Sequence, residues 1–242
     1  MFIKNRLGLT EATETMVAQE QRLNQVANNL ANVNTDGYKK DDLTFWEMMF
    51  KAAGNRMRVG KGIKSIIDQS QGAVQKTDNP LDFAINGRGF FKIQTPQGIR
   101  YTRDGNFTLN SGGQLSTADG NLVIGNGGPI SLNSEHIEVG RDGTISSGGQ
   151  VVDRLAVVDF TEPRGLVKEG NSLFKLKPGN QELQASKVDI KQGYVEASNV
   201  SVVRGMTEMI DLQRSYQAQQ KMIQTLDDLD HQAISRVGNL TG

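Results

Sequence analysis

The sequence predicts an α+β protein: a discontinuous helical, coiled-coil-like domain built from both termini, with an all-β domain of short strands inserted between its halves. Three patterns carry the prediction. From Asn199 to Val237 the residues Val202, Met206, Met209, Leu212, Tyr216, Ile223, Leu226, Leu229, Ala233 and Val237 recur at helical steps, broken once by a longer step over Gln219 and Gln220. At the other end Leu9, Met16, Leu23 and Leu30 form a heptad series, with Ala12, Val26, Ala27 and Val33 at the intermediate positions. Between the two lie short apolar runs separated by Asn-Gly and Asp-Gly pairs, the punctuation of β-hairpins. The expected division is a terminal-helix domain from residues 1–37 and 196–242, a connecting segment over 38–73, and a β domain over 74–195.

In chain order, the first helix is expected from Leu9 to Ala31. Asn28, Asn29, Asn32 and Asn34 crowd its end, and Gly37 follows; both residue types tolerate the left-handed backbone that stops a helix. Four asparagines exceed what a stop needs, so their amides are expected to tie this turn to a neighbouring backbone, within the chain or on another copy. In the connecting segment Phe45, Trp46, Met48, Met49 and Phe50 cluster ahead of a basic, glycine-dotted stretch, and such a cluster must meet more than one surface.

The β domain opens with Phe83-Ala84-Ile85, and its expected core is Phe90, Ile93, Phe107, Leu109, Leu155, Val157 and Phe160. The stretch Arg103–Leu115 resembles Arg141–Val151, which is two residues shorter between its Asp-Gly and Gly-Gly pairs; an even-numbered change keeps every side chain on its original face, so a hairpin used twice is expected. A fragment from Val74 to Tyr194 is expected to fold alone. The final helix, with Ser198 or Asn199 as its N-cap, would run about 55 Å, well beyond an average helix of ~11–12 residues. It needs a partner of similar length, and the expected pairing sets Leu23 and Leu30 against Ile223 and Leu226, in the same chain or on a neighbour.

Composition removes most chemistry. Lys plus Arg balances Asp plus Glu at 27 each, so no net field recruits nucleic acid or an anionic membrane. There is no cysteine, and the two histidines, His136 and His231, are far apart, which disfavours zinc, thiolate and Ser-His-Asp sites. The Asp-Gly-Asn triplets at Asp104 and Asp119 lack the further carboxylates of a calcium loop and read as turns. Asp227, Asp228 and Asp230 read as a solvated helix face. No catalytic, cofactor or metal residue is expected. The N-terminus has no apolar run followed by a cleavage site, and no stretch is apolar enough for a membrane span, so the expectation is a chain neither signal-cleaved nor membrane-inserted.

Three separated stretches resemble a known family. Asn29-Leu30-Ala31-Asn32 with Thr35 and Gly37-Tyr38-Lys39 is similar to the N-terminal signature of the flagellar basal-body rod and hook proteins. Gly193-Tyr194-Val195-Glu196-Ala197-Ser198-Asn199-Val200 is similar to its C-terminal signature, and Asn79–Ile85 through Tyr101–Phe107 to its central segment. The stretch from Met49 to Gly62 is short, without the longer insertion of the distal-rod members, and Val123-Ile124-Gly125 with Gly127-Gly128-Pro129-Ile130 is similar to the proximal-rod members; a distal-rod or hook-family axial subunit is the alternative. The resemblance implies a structural subunit of the rod, assembling with other rod subunits through its terminal helices and leaving the cell by the flagellar type III export apparatus uncleaved. Leu9, Met16, Leu23, Asn29, Leu30, Asn32, Met206, Met209, Tyr216, Ile223 and Leu226 are the residues expected to carry assembly. The alternatives from other classes are a secreted cell-wall hydrolase and a β-domain binding module on a helical stalk.

Overall fold

A computed structural model describes residues 2–52, 56–132, 137–162, 165–185 and 187–238, with the side chains of all these except 2–11, 45–52, 56–61, 63, 230 and 233–238. The chain divides into two compact units: residues 1–31, 43–65 and 201–242 form the first, and 32–42 with 66–200 the second.

The first unit holds α1 (Phe2–Ala31), a ribbon of β1 (Asp41–Ala52) and β2 (Arg56–Ile67), and α2 (Val202–Gly238). Helix α1 starts seven residues earlier than the heptads suggest. Helix α2 begins at Val202, and the Gly205 amide donates to Ser201 O at 2.9 Å. Ser201 is therefore the N-cap position, a correction to Ser198 or Asn199, which lie ahead of the helix. The two helices run antiparallel: Gln19 Nε2 donates to Ser215 Oγ at 2.7 Å, Arg22 pairs with Glu208 at 2.7 Å, and Leu30 Cδ1 lies 3.8 Å from where a Cβ on Gly205 would stand. That register overturns the expected pairing inside the chain. Leu30 meets Gly205, whereas Ile223 and Leu226 fall opposite the first third of α1. The connecting segment is more regular than expected, since the cluster Phe45–Phe50 lies on a 12-residue strand; its side chains are outside the described residues.

The second unit is built from short strands in chain order: β3 (Val74–Lys76), β4 (Phe83–Ile85), β5 (Phe90–Thr95), β6 (Gly98–Thr102), β7 (Phe107–Leu109) and β8 (Leu115–Thr117). Then come β9 (Leu122–Gly125), β10 (Gly128–Pro129), β11 (Ile137–Val139), β12 (Thr144–Ser147), β13 (Gln150–Arg154) and β14 (Val157–Phe160). The last are β15 (Leu166–Gly170), β16 (Leu173–Leu176), β17 (Glu182–Gln184), β18 (Ile190–Gln192) and β19 (Tyr194–Glu196). The main sheet runs β15-β16-β6-β5-β9-β8-β7, with β14 and β17 branching from β5. Strand β5 divides the core by alternation: Phe91 and Ile93 enter a cluster with Phe83, Phe107, Leu115 and Ile145, while Phe90 enters one with Tyr101, Phe160 and Phe174. Phe90 meets both Phe160 and Phe174 at 5.5 Å between ring centroids.

Six of the seven expected core residues are buried. Leu109 is 37% exposed, because it ends β7 at the sheet's open edge. The repeated stretches are both hairpins, β7–β8 and β12–β13. Each starts from an aspartate that accepts the amide two residues on, Asp104 from Asn106 at 3.0 Å and Asp142 from Thr144 at 3.2 Å. The chain returns through β18 and β19, which pair with β4 and β3, so residues close to the two ends of the insert lie side by side.

Gly37 sits where that return meets the turn after α1. Its φ is +66°, and a Cβ would stand 2.1 Å from the Asp104 backbone nitrogen. Left-handed backbone costs a side-chain-bearing residue about 1–2 kcal/mol, and displacing main chain adds to it. Gly37→Ala is expected to destabilise the second unit by at least about 2 kcal/mol; chemical denaturation followed by fluorescence checks it, and an unchanged midpoint would refute it.

Candidate assembly interface and the buried neck

Two sets of residues stand out, one on the helices and one in the second unit. On the helices the seam is thin. Among their described residues only Val26 and Asn29 are buried. Met16, Leu23, Leu30, Met209, Tyr216, Ile223 and Leu226 are half-buried, and Met206 is 51% exposed. The Leu9 side chain lies outside the described residues. Asn32 serves its own turn, accepting from the Thr35 hydroxyl at 3.3 Å through its side chain and from the Thr35 amide through its carbonyl. Beside the expected stripe α2 exposes three apolar residues that sequence reading missed, Val203, Ile210 and Met222, which extend the exposed face of Met206 and Leu229; Val203 is 77% exposed. The signal was available in the spacing of Val203, Met206 and Ile210, masked by the longer stripe beside it.

The second set is a neck where residues 36–40, 68–73 and 196–199 converge. The Gly37 amide donates to Glu196 O at 2.7 Å and the Ala197 amide to Ala73 O at 2.8 Å. Asn199 joins all three strands of chain: its Oδ1 accepts the Lys40 amide at 2.7 Å, and its Nδ2 donates to Asp68 O at 3.0 Å and Ser70 O at 3.1 Å. Gly72 admits this closure, since a Cβ there would stand 1.9 Å from Ala197 O.

Inside the neck Glu196 is buried between two cations. Its Oε1 accepts from Lys39 Nζ and from the Gly72 amide, and its Oε2 accepts from Arg103 at 3.1 Å. Lys39 also donates to Ser70 O at 2.7 Å, while Arg103 donates to Ile85 O and, at 2.6 Å, to Gly87 O. Lys39 and Glu196 are each 1% exposed. Burial pulls both basic groups below their ordinary ranges, and the Glu196 carboxylate opposes that pull. Nearby, Lys168 lies over the Tyr38 ring at 4.0 Å and pairs with Asp41 at 2.8 Å; burial and the Asp41 charge push the Tyr38 hydroxyl up to about 12.

A groove of about 800 Å³ between β9–β10, β14 and β17 is a candidate for chemistry in the second unit. Its charges are already engaged: Lys92 pairs with Glu182 at 2.7 Å, Tyr101 donates to Glu182 at 2.9 Å, and Arg154 pairs with Asp142. Among the described residues no three metal-ligating side chains converge, and no helix is long and apolar enough to cross a membrane. His231 is exposed and His136 is outside the described residues.

Lys39, Arg103 and Glu196 come one each from the three stretches that carry the family resemblance, and family comparisons match the same regions. Residues 9–39 match the flagella basal body rod protein family, 84–147 the flagellar hook protein FlgE/F/G D1 domain, and 191–236 the flagellar basal body rod FlgEFG protein C-terminal family. The flagellar basal-body rod protein FlgG of Buchnera aphidicola subsp. Schizaphis graminum is 36% identical over 246 residues, covering 88% of this chain and 92% of the relative. The flagellar basal-body rod protein FlgF of Caulobacter vibrioides is 35% identical over 229 residues, covering 91% and 93%. The FlgF protein of Mesorhizobium japonicum is 32% identical, covering 96% and 98%. With relatives matched nearly end to end and the three matched regions meeting at one buried ion cluster, this chain belongs to the flagellar basal-body rod family.

Proposed function

We propose that this protein is a structural subunit of the bacterial flagellar basal-body rod, exported without signal cleavage through the flagellar type III apparatus and built into the periplasm-spanning axial tube. The observation that carries the reading is the thin seam of the first unit: two helices of 30 and 37 residues with only Val26 and Asn29 buried among the described residues. Ordering such helices costs about 1–2 kcal/mol per residue in backbone entropy, which their mutual burial does not offset, so copies of this chain and other rod subunits supply the missing surface in a coiled-coil-like packing. The second unit, with its own core, stays folded and carries no catalysis. Its groove has all its described charges satisfied internally.

Relatives of both the FlgG and FlgF kinds match at similar identity. The Val123–Gly125 and Gly127–Ile130 stretches favour the F kind, in the proximal rod. The test is to replace the native copy by a tagged one in cells and isolate basal bodies. The tagged protein is expected in them, and cells lacking the gene are expected not to swim. Absence from basal bodies in swimming cells would overturn the reading. In the purified monomer, amides of Met16, Leu23, Met209 and Ile223 are expected to exchange fast, within about a hundredfold of the unfolded rate. Slow exchange there would mean the helices are ordered without partners.

A further inference from the structure

Among the described residues only three that are not glycine hold a positive φ: Asp78 at 60°, Asn171 at 48° and Ser172 at 53°. Asn171 and Ser172 form the two-residue turn between β15 and β16, closed by the Gly170–Leu173 pair. Such a turn matches the twist of its strands when both residues are left-handed, and Asn-Gly meets that demand at the least cost. The chain uses Asn86-Gly87 and Asn126-Gly127 elsewhere, yet here it sets serine where glycine is favoured. Asparagine tolerates the left-handed region; serine enters it with strain.

The serine makes a contact that glycine could not. Its Oγ donates to Asp36 O, in the turn after α1, at 3.2 Å. Thr102 Oγ1 donates to Ser172 O at 2.9 Å and Asn171 Nδ2 to Asp119 Oδ2 at 3.1 Å, which hold the tip itself. Further along the same hairpin Lys168 Nζ donates to Asp41 Oδ2 at 2.8 Å and lies over the Tyr38 ring at 4.0 Å. Asp36 and Asp41 bracket the link between α1 and β1, so one hairpin grips that link at both ends.

We propose that β15–β16 is a strap over the α1–β1 link and that Ser172 is its clasp, a strained residue kept because its hydroxyl holds Asp36. Strain of this kind persists where the surrounding contacts over-determine it. Two properties that ordinarily move together are therefore opposed at this position: glycine at 172 relaxes the turn and frees the link, whereas alanine frees the link and leaves the turn strained.

Hydrogen exchange of the full chain reads the link through the Gly37 amide, next to Asp36 and bonded to Glu196 O. In Ser172→Gly that amide is expected to exchange about five- to tenfold faster than in the wild type, as one hydrogen bond is lost, while the denaturation midpoint of the second unit stays level or rises. Ser172→Ala should exchange equally fast with a lowered midpoint. Lys168→Met leaves the turn untouched and should loosen the link from its other end, again speeding exchange at Gly37. Wild-type exchange at Gly37 in either Ser172→Gly or Lys168→Met would overturn the strap, and a glycine variant less stable than the alanine variant would overturn the strained clasp.

Discussion

Glu196→Ala is expected to destabilise the second unit by about 3–5 kcal/mol, lowering its melting temperature by on the order of ten degrees. The magnitude follows from what remains. With the carboxylate gone, Lys39 and Arg103 are two buried cations facing each other with carbonyl oxygens as their only acceptors among the partners described. Lys39→Met should cost clearly less, because it leaves the Arg103–Glu196 pair balanced and Ser70 O still accepts from Asn199. Thermal denaturation of the two variants orders them. A lysine variant less stable than the glutamate variant would show that the cluster is not organised around Glu196.

The same cluster revises the expectation that residues 74–194 fold alone. That fragment keeps buried Arg103 but discards both Glu196 and Lys39, together with the neck segments that close over β3 and β19. It is expected to aggregate or remain partly unfolded, whereas residues 32–200 should fold cooperatively. Equal stability of the two fragments would contradict this.

These residues mark where reading the sequence reached and where it stopped. The helices were legible because their stripes persist over many turns, and the hairpins because Asp-Gly and Gly-Gly pairs force turns whatever surrounds them. The β1–β2 ribbon was not, since Phe45-Trp46 and Met48-Met49-Phe50 run consecutively and hide the period of two. Leu109 alternates like a core residue, but burial at a sheet's edge depends on whether another strand follows it, which is a tertiary fact. The neck escaped for a different reason. Lys39 and Glu196 are 157 positions apart and, singly, each is an ordinary surface type. Only their positions inside the three family-like stretches distinguished them. The interhelical register was similarly non-local: heptads on both helices allow several alignments, and the polar pairs Gln19–Ser215 and Arg22–Glu208 report the one adopted.

Met206→Asp and Ile210→Asp are expected to abolish swimming while leaving the isolated chain as stable as the wild type. Both side chains are about half exposed in the single chain, Met206 at 51% and Ile210 at 49%, so a carboxylate there remains hydrated and costs the monomer little. In a packed rod the same position loses its water, and burying an unpaired charge costs several kcal/mol at each copy. Repetition along the assembly multiplies that cost, so incorporation fails. Val26→Asp is the contrasting variant, because Val26 is buried between the helices of one chain, so its substitution should weaken the α1–α2 pair that forms on assembly rather than the contact between copies. Each variant is expressed in cells lacking the native copy, scored for swimming, and sought in isolated basal bodies, with denaturation of the purified protein alongside. Normal swimming with either exposed-face variant incorporated would sink the assignment of this face to assembly.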